Sequence, residues 1–153
     1  MSIEISNETK WEIDETRLVR LAKFAMDRMY LHPNTDVFIR FVDLPTMEDL
    51  HIRFMEEPGP TDVLSFPMDE LVPGDIHSVA PEGVLGDIVV CPDFAAEQAE
   101  KAGHPAINEM LLLITHGILH LLGFDHAEPE EEREMFGLQN QILKEFYELE
   151  ASA

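Results

Sequence analysis

The segment Thr115-His116-Gly117-Ile118-Leu119-His120-Leu121-Leu122-Gly123-Phe124-Asp125-His126 has the residue types and the spacing of a metal centre. On a helix, residues four apart project from one face, a turn apart. His116 and His120 can therefore converge on one ion. Gly123 tolerates a positive φ that a side chain resists, so the chain can reverse there and return His126 as a third ligand. Three neutral imidazoles suit zinc and leave a fourth position for water, the arrangement of catalytic rather than structural sites. Zinc with an open position can deliver hydroxide near neutral pH and polarise a phosphoryl or carbonyl oxygen. Two of the rings also interrupt a stretch of Leu and Ile, where buried polar groups need partners. The bland alternative is a set of core histidines satisfied by hydrogen bonds.

The spacing equals that of the extended metalloprotease signature H-E-x-x-H-x-x-G-x-x-H, with one change: Gly117 stands where those enzymes carry the glutamate general base. A peptidase or amidase reading loses its proton acceptor there. Two carboxylates are candidates for part of that role. Asp125 adjoins His126 and could orient a ligand ring, and Glu109 lies seven residues before His116 on nearly the same helix face. Each could equally be an ordinary surface carboxylate.

Charge constrains the partners. Ten basic residues against 31 acidic ones give a formal net charge of −21, and repulsion of that size opposes non-specific binding to a polyanion. The positive charge is unevenly spread. No Lys or Arg lies between Arg53 and Lys101, whereas Arg17, Arg20, Lys23, Arg28 and Arg40 crowd the N-terminal stretch. Arg17, Arg20, Lys23 and Arg28 share a broad helix face, which reads as a solvated face before it reads as an RNA contact.

The elements that must position the histidines follow from periodicity. The 153 residues suit one domain over 1–153, long enough to bury a core without disulfides. Ile3-Glu4-Ile5 alternates as a short strand. Apolar residues at helical spacing run from Asp14 to Leu31, and His32-Pro33-Asn34 stops that helix. Strands are expected at 37–42, 63–66 and 86–90, with a helix from Pro45 to Phe54 and turn chemistry at 56–60. Pro67 to Gly83 is a long Pro/Gly/acid-rich loop, a kind that tends to be functional or disordered, and His77 within it is expected in solvent. Pro92 to Lys101 is a helix. Pro105 fits the first turn of a long apolar helix ending near Leu122, capped by Gly123. A last amphipathic helix spans Glu128 to Glu150, with Met135, Leu138, Ile142 and Phe146 as its stripe. The class is α+β: a single mixed β-sheet flanked by helices, with the metal site on a long central helix and the turn after it. Cys91, the one cysteine, reads as a small core residue in a reducing compartment. With no signal-peptide pattern and no apolar run long enough to span a bilayer, a cytoplasmic protein is expected.

The run from His116 to His126 resembles the H-G-x-L-H-L-x-G-[YF]-D-H signature of the YbeY family, bacterial rRNA maturation endoribonucleases. Pro60-Thr61-Asp62-Val63-Leu64-Ser65-Phe66-Pro67 resembles the family's P-T-[DN]-V-L-S-F-P block, and Leu85-Gly86-Asp87-Ile88 its L-G-D-I block. The three, in the right order, cover about half the chain. The resemblance implies one Zn2+ on His116, His120 and His126. It implies a single-strand-preferring endoribonuclease acting in small-subunit rRNA 3′ end maturation and ribosome quality control. The expected partners are ribosomal RNA and ribosomal small-subunit or assembly proteins. RNA as substrate comes only from the resemblance. The family usually has an Arg shortly before the second block, in an L-N-x-x-[YF]-R pattern; here Met55 stands there, and Arg53 is the candidate to place a cation on the scissile phosphate. Thr61 and Ser65 offer hydroxyls beside the zinc. The alternative reading is non-catalytic: a ribosome-assembly factor stabilised by its zinc, which the acidic charge favours.

Overall fold

A computed structural model describes residues 2–55 and 61–152; the side chain of Met55 and the turn expected at 56–60 lie outside the described residues. Among the described residues, four strands and five helices follow in the order β1 (Ser2–Asn7), α1 (Glu15–Arg28), β2 (Asp36–Phe41), α2 (Leu44–Met55), β3 (Val63–Pro67), β4 (Val84–Val90), α3 (Pro92–Ala102), α4 (Ala106–Leu121) and α5 (Pro129–Ala151). The strands form one mixed sheet in the order β1-β2-β4-β3. The pairs β1–β2 and β2–β4 are parallel, and β3 runs antiparallel to β4 at the edge. This is the expected α+β class.

Burial explains the order. Along β2 the side chains Val37, Ile39 and Phe41 are buried and their neighbours half-buried, the period-2 pattern of a sheet with one face more deeply covered. In β4, Leu85, Ile88, Val89 and Val90 are all buried, as an interior strand covered on both faces requires. Helix α4 fills the centre, packing against β3, β4, α1, α3 and α5. Its Leu111, Ile114, Ile118 and Leu119 join Leu18 and Leu21 of α1 and Phe146 of α5 in the main core. Cys91 is fully buried in a smaller cluster with Val42, Met47, Leu64 and Val89. No described helix is long and apolar enough to cross a membrane.

Strands β1 and β4 begin earlier than expected, at Ser2 and Val84, and two helix boundaries differ in ways the local geometry explains. Helix α1 stops at Arg28 rather than at the His32-Pro33 pair. Tyr30 takes a left-handed φ of 57°, and Leu31 N donates to Met26 O at 3.1 Å and Tyr30 N to Asp27 O at 3.0 Å, the paired bonds that close a helix end. Apolar spacing runs on because Met29 and Leu31 stay buried after the helix has ended. Pro105 sits outside α4 as its N-cap, with φ −62° and ψ 151°.

The segment between β3 and β4 is not a loose excursion. Gly74 N donates to Met29 O at 3.1 Å and Ala80 N to Tyr30 O at 2.9 Å, so it caps carbonyls at the end of α1. Leu71 and Ala80 are buried in the main core. A Cβ at Gly74 would meet the Tyr30 carbonyl oxygen at 2.5 Å, so only glycine allows that approach. His77 is exposed, as expected.

The basic face of α1 is spent within the molecule. Arg17 Nε lies 2.8 Å from Glu150, Arg20 3.8 Å from the same carboxylate, and Arg28 3.1 Å from Glu145, both acids on α5. Lys23 pairs with Asp27 on its own helix, at 3.5 Å, and Arg40 with Glu8 at 2.6 Å. The face expected in solvent is instead partly covered by α5, which supplies the counter-charges.

Candidate metal centre

Helix α4 and the turn after it bring the three histidines together. Gly123 has a φ of +96°; its N–H donates to His120 O at 3.0 Å and Phe124 N to Leu119 O at 3.1 Å. These are the two bonds of a Schellman cap. They turn the chain back so that His126 faces His116 and His120. The ring centroids are 4.6 Å apart for His116–His120, 5.4 Å for His116–His126 and 5.2 Å for His120–His126. One nitrogen from each ring lies within 4.8 Å of the others. Ligands about 2.0–2.1 Å from a shared zinc would be separated by less than about twice that length, so the donor set closes on an ion with small side-chain shifts.

The donor chemistry fits as well. His116 Nδ1 lies 2.8 Å from Gln139 Oε1. An amide oxygen only accepts, so the ring proton sits on Nδ1 and Nε2 keeps its lone pair for a metal. Burial pushes the His116 imidazole below its ordinary range, against the Gln139 bond and with His126 adding to the effect. Burial also lowers His120, reinforced by the neighbouring His116 and His126 rings. Both rings are thereby favoured in the neutral, ligating form. Phe136 of α5 lies nearly parallel to two of them, 5.8 Å from His116 and 5.7 Å from His126, and walls one side of the site.

Gln139 and Phe136 went unseen in the sequence. The signal for Gln139 was available: it falls four residues after Met135 and three before Ile142, a polar side chain on the buried stripe of α5. It is 4% exposed. Phe136 lies beside that stripe, and nothing in its spacing marks it as a neighbour of the histidines.

The triad opens into a cavity of about 630 Å³ between α4, α5 and β3. Thr61, Asp62, Ser65, Gln98 and Glu109 supply its other polar groups. Ser65 Oγ donates to Gly117 O at 3.4 Å, a long contact, and Thr61 Oγ1 to Asp62 Oδ1 at 3.3 Å. Glu109 is nearly buried, with its Oε2 3.1 Å from His104 Nε2. Burial raises its carboxyl above the ordinary range, against the pull of His104. Arg53 and Asp125 are not among the lining residues. Arg53 is exposed near the end of α2 and pairs with Asp49 at 3.6 Å. Asp125 Oδ1 accepts from His126 N at 2.7 Å, which braces the turn rather than a ring.

The glutamate of a metalloprotease cannot simply be added back. A Cβ at Gly117 would stand 2.9 Å from Ile88 Cγ2 and 3.2 Å from its Cδ1. Position 117 is buried between α4 and β4, so a side chain there meets the sheet and not the cavity.

A family described as "Endoribonuclease YbeY" matches residues 4–147. The chain is 58% identical over 146 residues to the "Endoribonuclease YbeY" of Paenarthrobacter aurescens strain TC1, covering 95% of this chain and 93% of that one. To the protein of the same description from Clavibacter sepedonicus it is 62% identical over 143 residues, 94% of each chain. It also resembles the solution structure of a Thermotoga maritima protein, with a TM-score of 0.64 and 28% identity, covering 99% of this chain and 93% of that one.

Proposed function

Because the chain belongs to the YbeY endoribonuclease family, we propose that it is a zinc-dependent endoribonuclease that cuts single-stranded RNA. Its place is the maturation of the small-subunit rRNA 3′ end and ribosome quality control. The observation that carries this reading is the convergence of His116, His120 and His126 at the mouth of a nucleotide-sized cavity, with ligand nitrogens within 4.8 Å of one another.

His116, His120 and His126 hold the ion, and Gln139 fixes the His116 tautomer. Zinc bound there supplies Lewis acidity toward a phosphoryl oxygen and lowers the pKa of water. Glu109, whose carboxyl burial raises above its ordinary range, is the group we assign to hold a proton in the cavity. Asp125 holds the turn that presents His126. Arg53 is the cation offered to the RNA, since an exposed i,i+4 pair with Asp49 is readily given up. Ribosomal RNA and small-subunit or assembly proteins are the partners, and the cytoplasm is the compartment.

The test is cleavage of a labelled single-stranded RNA by zinc-loaded wild type and by His116→Ala, purified identically. Activity confined to the wild type supports the reading; equal activity in both means a contaminating nuclease. A 2′,3′-cyclic phosphate on the product indicates attack by the ribose, and a 5′-phosphate indicates water. The net charge of −21 favours a second reading, an assembly factor in which zinc only stabilises the C-terminal half. In that case stripping the ion lowers the melting temperature sharply and no RNA is cut.

A further inference from the structure

We propose that the groove between α4 and α5 beside the histidine cavity, continued along the outer line of α5, is the track for the RNA strand flanking the cut site, with Lys144 in the groove and Arg133 beyond it on phosphates and Tyr147 against a base. This rests on the endoribonuclease reading above. A second cavity of about 610 Å³ lies between these helices, and His104, Asn108, Asn140, Lys144 and Tyr147 line it. It continues from the first: Leu112 lines both, and His104 on the second contacts Glu109 on the first at 3.1 Å. A strand leaving the histidine cavity therefore meets a largely apolar groove, in which Leu112, Leu143 and Tyr147 offer surface to bases and His104, Asn108, Asn140 and Lys144 supply the polar groups.

The cations single out the same helix. Apart from Arg53, already offered to the RNA, Arg17, Arg20, Lys23, Arg28, Arg40 and Lys101 are each paired with a carboxylate. Lys10, Arg133 and Lys144 have no ion-pair partner among the described residues, and two of these three lie on α5. At 3.6 residues per turn, Arg133, Asn140 and Lys144 fall within about 20° of one line along the helix. Phe136 and Tyr147 lie to the α4 side of that line. The stripe joins the ring that walls the triad to the ring that lines the second groove, and Arg133 to Lys144 spans about 16 Å, longer than one nucleotide. Arg17 stands 6.0 Å over the Tyr147 ring and holds it at the groove.

Alternating point charges and aromatic faces are the means by which proteins follow single strands without reading sequence. Asn108 and Asn140 add donors and acceptors for base edges. The surrounding acids, Glu148 on the groove and the Glu130–Glu132 run beside Arg133, repel anions in general, so binding requires the stacked strand as well as its phosphates.

The test is fluorescence anisotropy of a short labelled single-stranded RNA against the full zinc-loaded chain, titrated at several salt concentrations. Arg133→Glu and Lys144→Glu should each raise Kd about five- to tenfold at low salt and flatten the slope of log Kd against log salt by about 0.7. Lys10→Glu changes the net charge equally but lies neither on α5 nor on either cavity, and should leave Kd within twofold of wild type. Unchanged Kd and slope in both α5 variants overturn the track while RNA cleavage, measured alongside, still stands. An equal shift in Lys10→Glu also overturns it, because whole-molecule charge then explains the effect. Wild type that neither binds nor cuts RNA removes the endoribonuclease reading itself.

Discussion

Gly117 and Ile88 approach so closely that a Cβ on the glycine would lie 2.9 Å from Ile88 Cγ2. This contact seats α4 on the sheet and so sets the height of His116, the next residue. Gly117→Ala should therefore destabilise the fold by about 1–3 kcal/mol, the usual range for overpacking, as read from urea unfolding. Combined with Ile88→Ala, the loss should be smaller than the sum of the two single losses. Strict additivity would mean the two positions are not in steric conflict.

Gln139 should govern the metal without touching it. Gln139→Leu removes the acceptor for His116 Nδ1 and should weaken zinc binding about 10- to 100-fold, measured by competition with a chromophoric chelator. Gln139→Glu keeps an acceptor at the same place and should retain affinity. Equal losses in both variants would assign the residue to packing alone.

At Gly123 the space is open: a Cβ there meets nothing within 4 Å. Only the backbone, at φ +96°, resists a side chain. Gly123→Ala should cost about 1–3 kcal/mol of stability and should also reduce zinc affinity, since His126 reaches the site through this turn. Calorimetric unfolding with and without zinc separates the two effects. A stability loss with unchanged affinity would show that His126 docks whatever the turn does.

Glu109 makes stability depend on pH in a particular direction. Burial raises its carboxyl above the ordinary 4.5, so just above that pH the folded chain keeps a proton that the unfolded chain releases. Its contribution to stability is full below 4.5 and is lost as pH rises through the folded value. Glu109→Gln carries no charge at either end. Urea midpoints followed from about pH 4 to pH 7 should show the variant gaining on wild type as pH rises. A constant gap across the range would mean that His104 offsets the burial completely.

The sheet, the five described helices and the triad were readable because each rests on a local rule: alternation in β1, apolar stripes on α1, α4 and α5, and a His pair at helical spacing followed by a cap-competent glycine. What could not be read depends on contacts between distant segments. Gln139 lies 23 positions from His116 along the chain, and only the packing of α5 on α4 makes it a partner. The end of α1 was misplaced because Tyr30 takes a left-handed turn that its residue type does not favour. Arg53 and Asp125 stand near conspicuous motifs in the sequence, but what their side chains touch depends on the folded chain. The folded chain sets Arg53 against Asp49 and Asp125 against a backbone amide, whereas Glu109 lines the cavity.

The segment that caps α1 changes how the molecule should come apart. Its amides are tied to Met29 and Tyr30, and Leu71 and Ala80 are anchored in the main core. A stretch rich in proline, glycine and acid would ordinarily be the first to open and the natural place for a protease to enter. Here, releasing it also strips the last carbonyls of α1 and uncovers the lead into β4. The two are therefore expected to open as one cooperative unit, so that the vulnerable-looking part of the chain should outlast an ordinary loop.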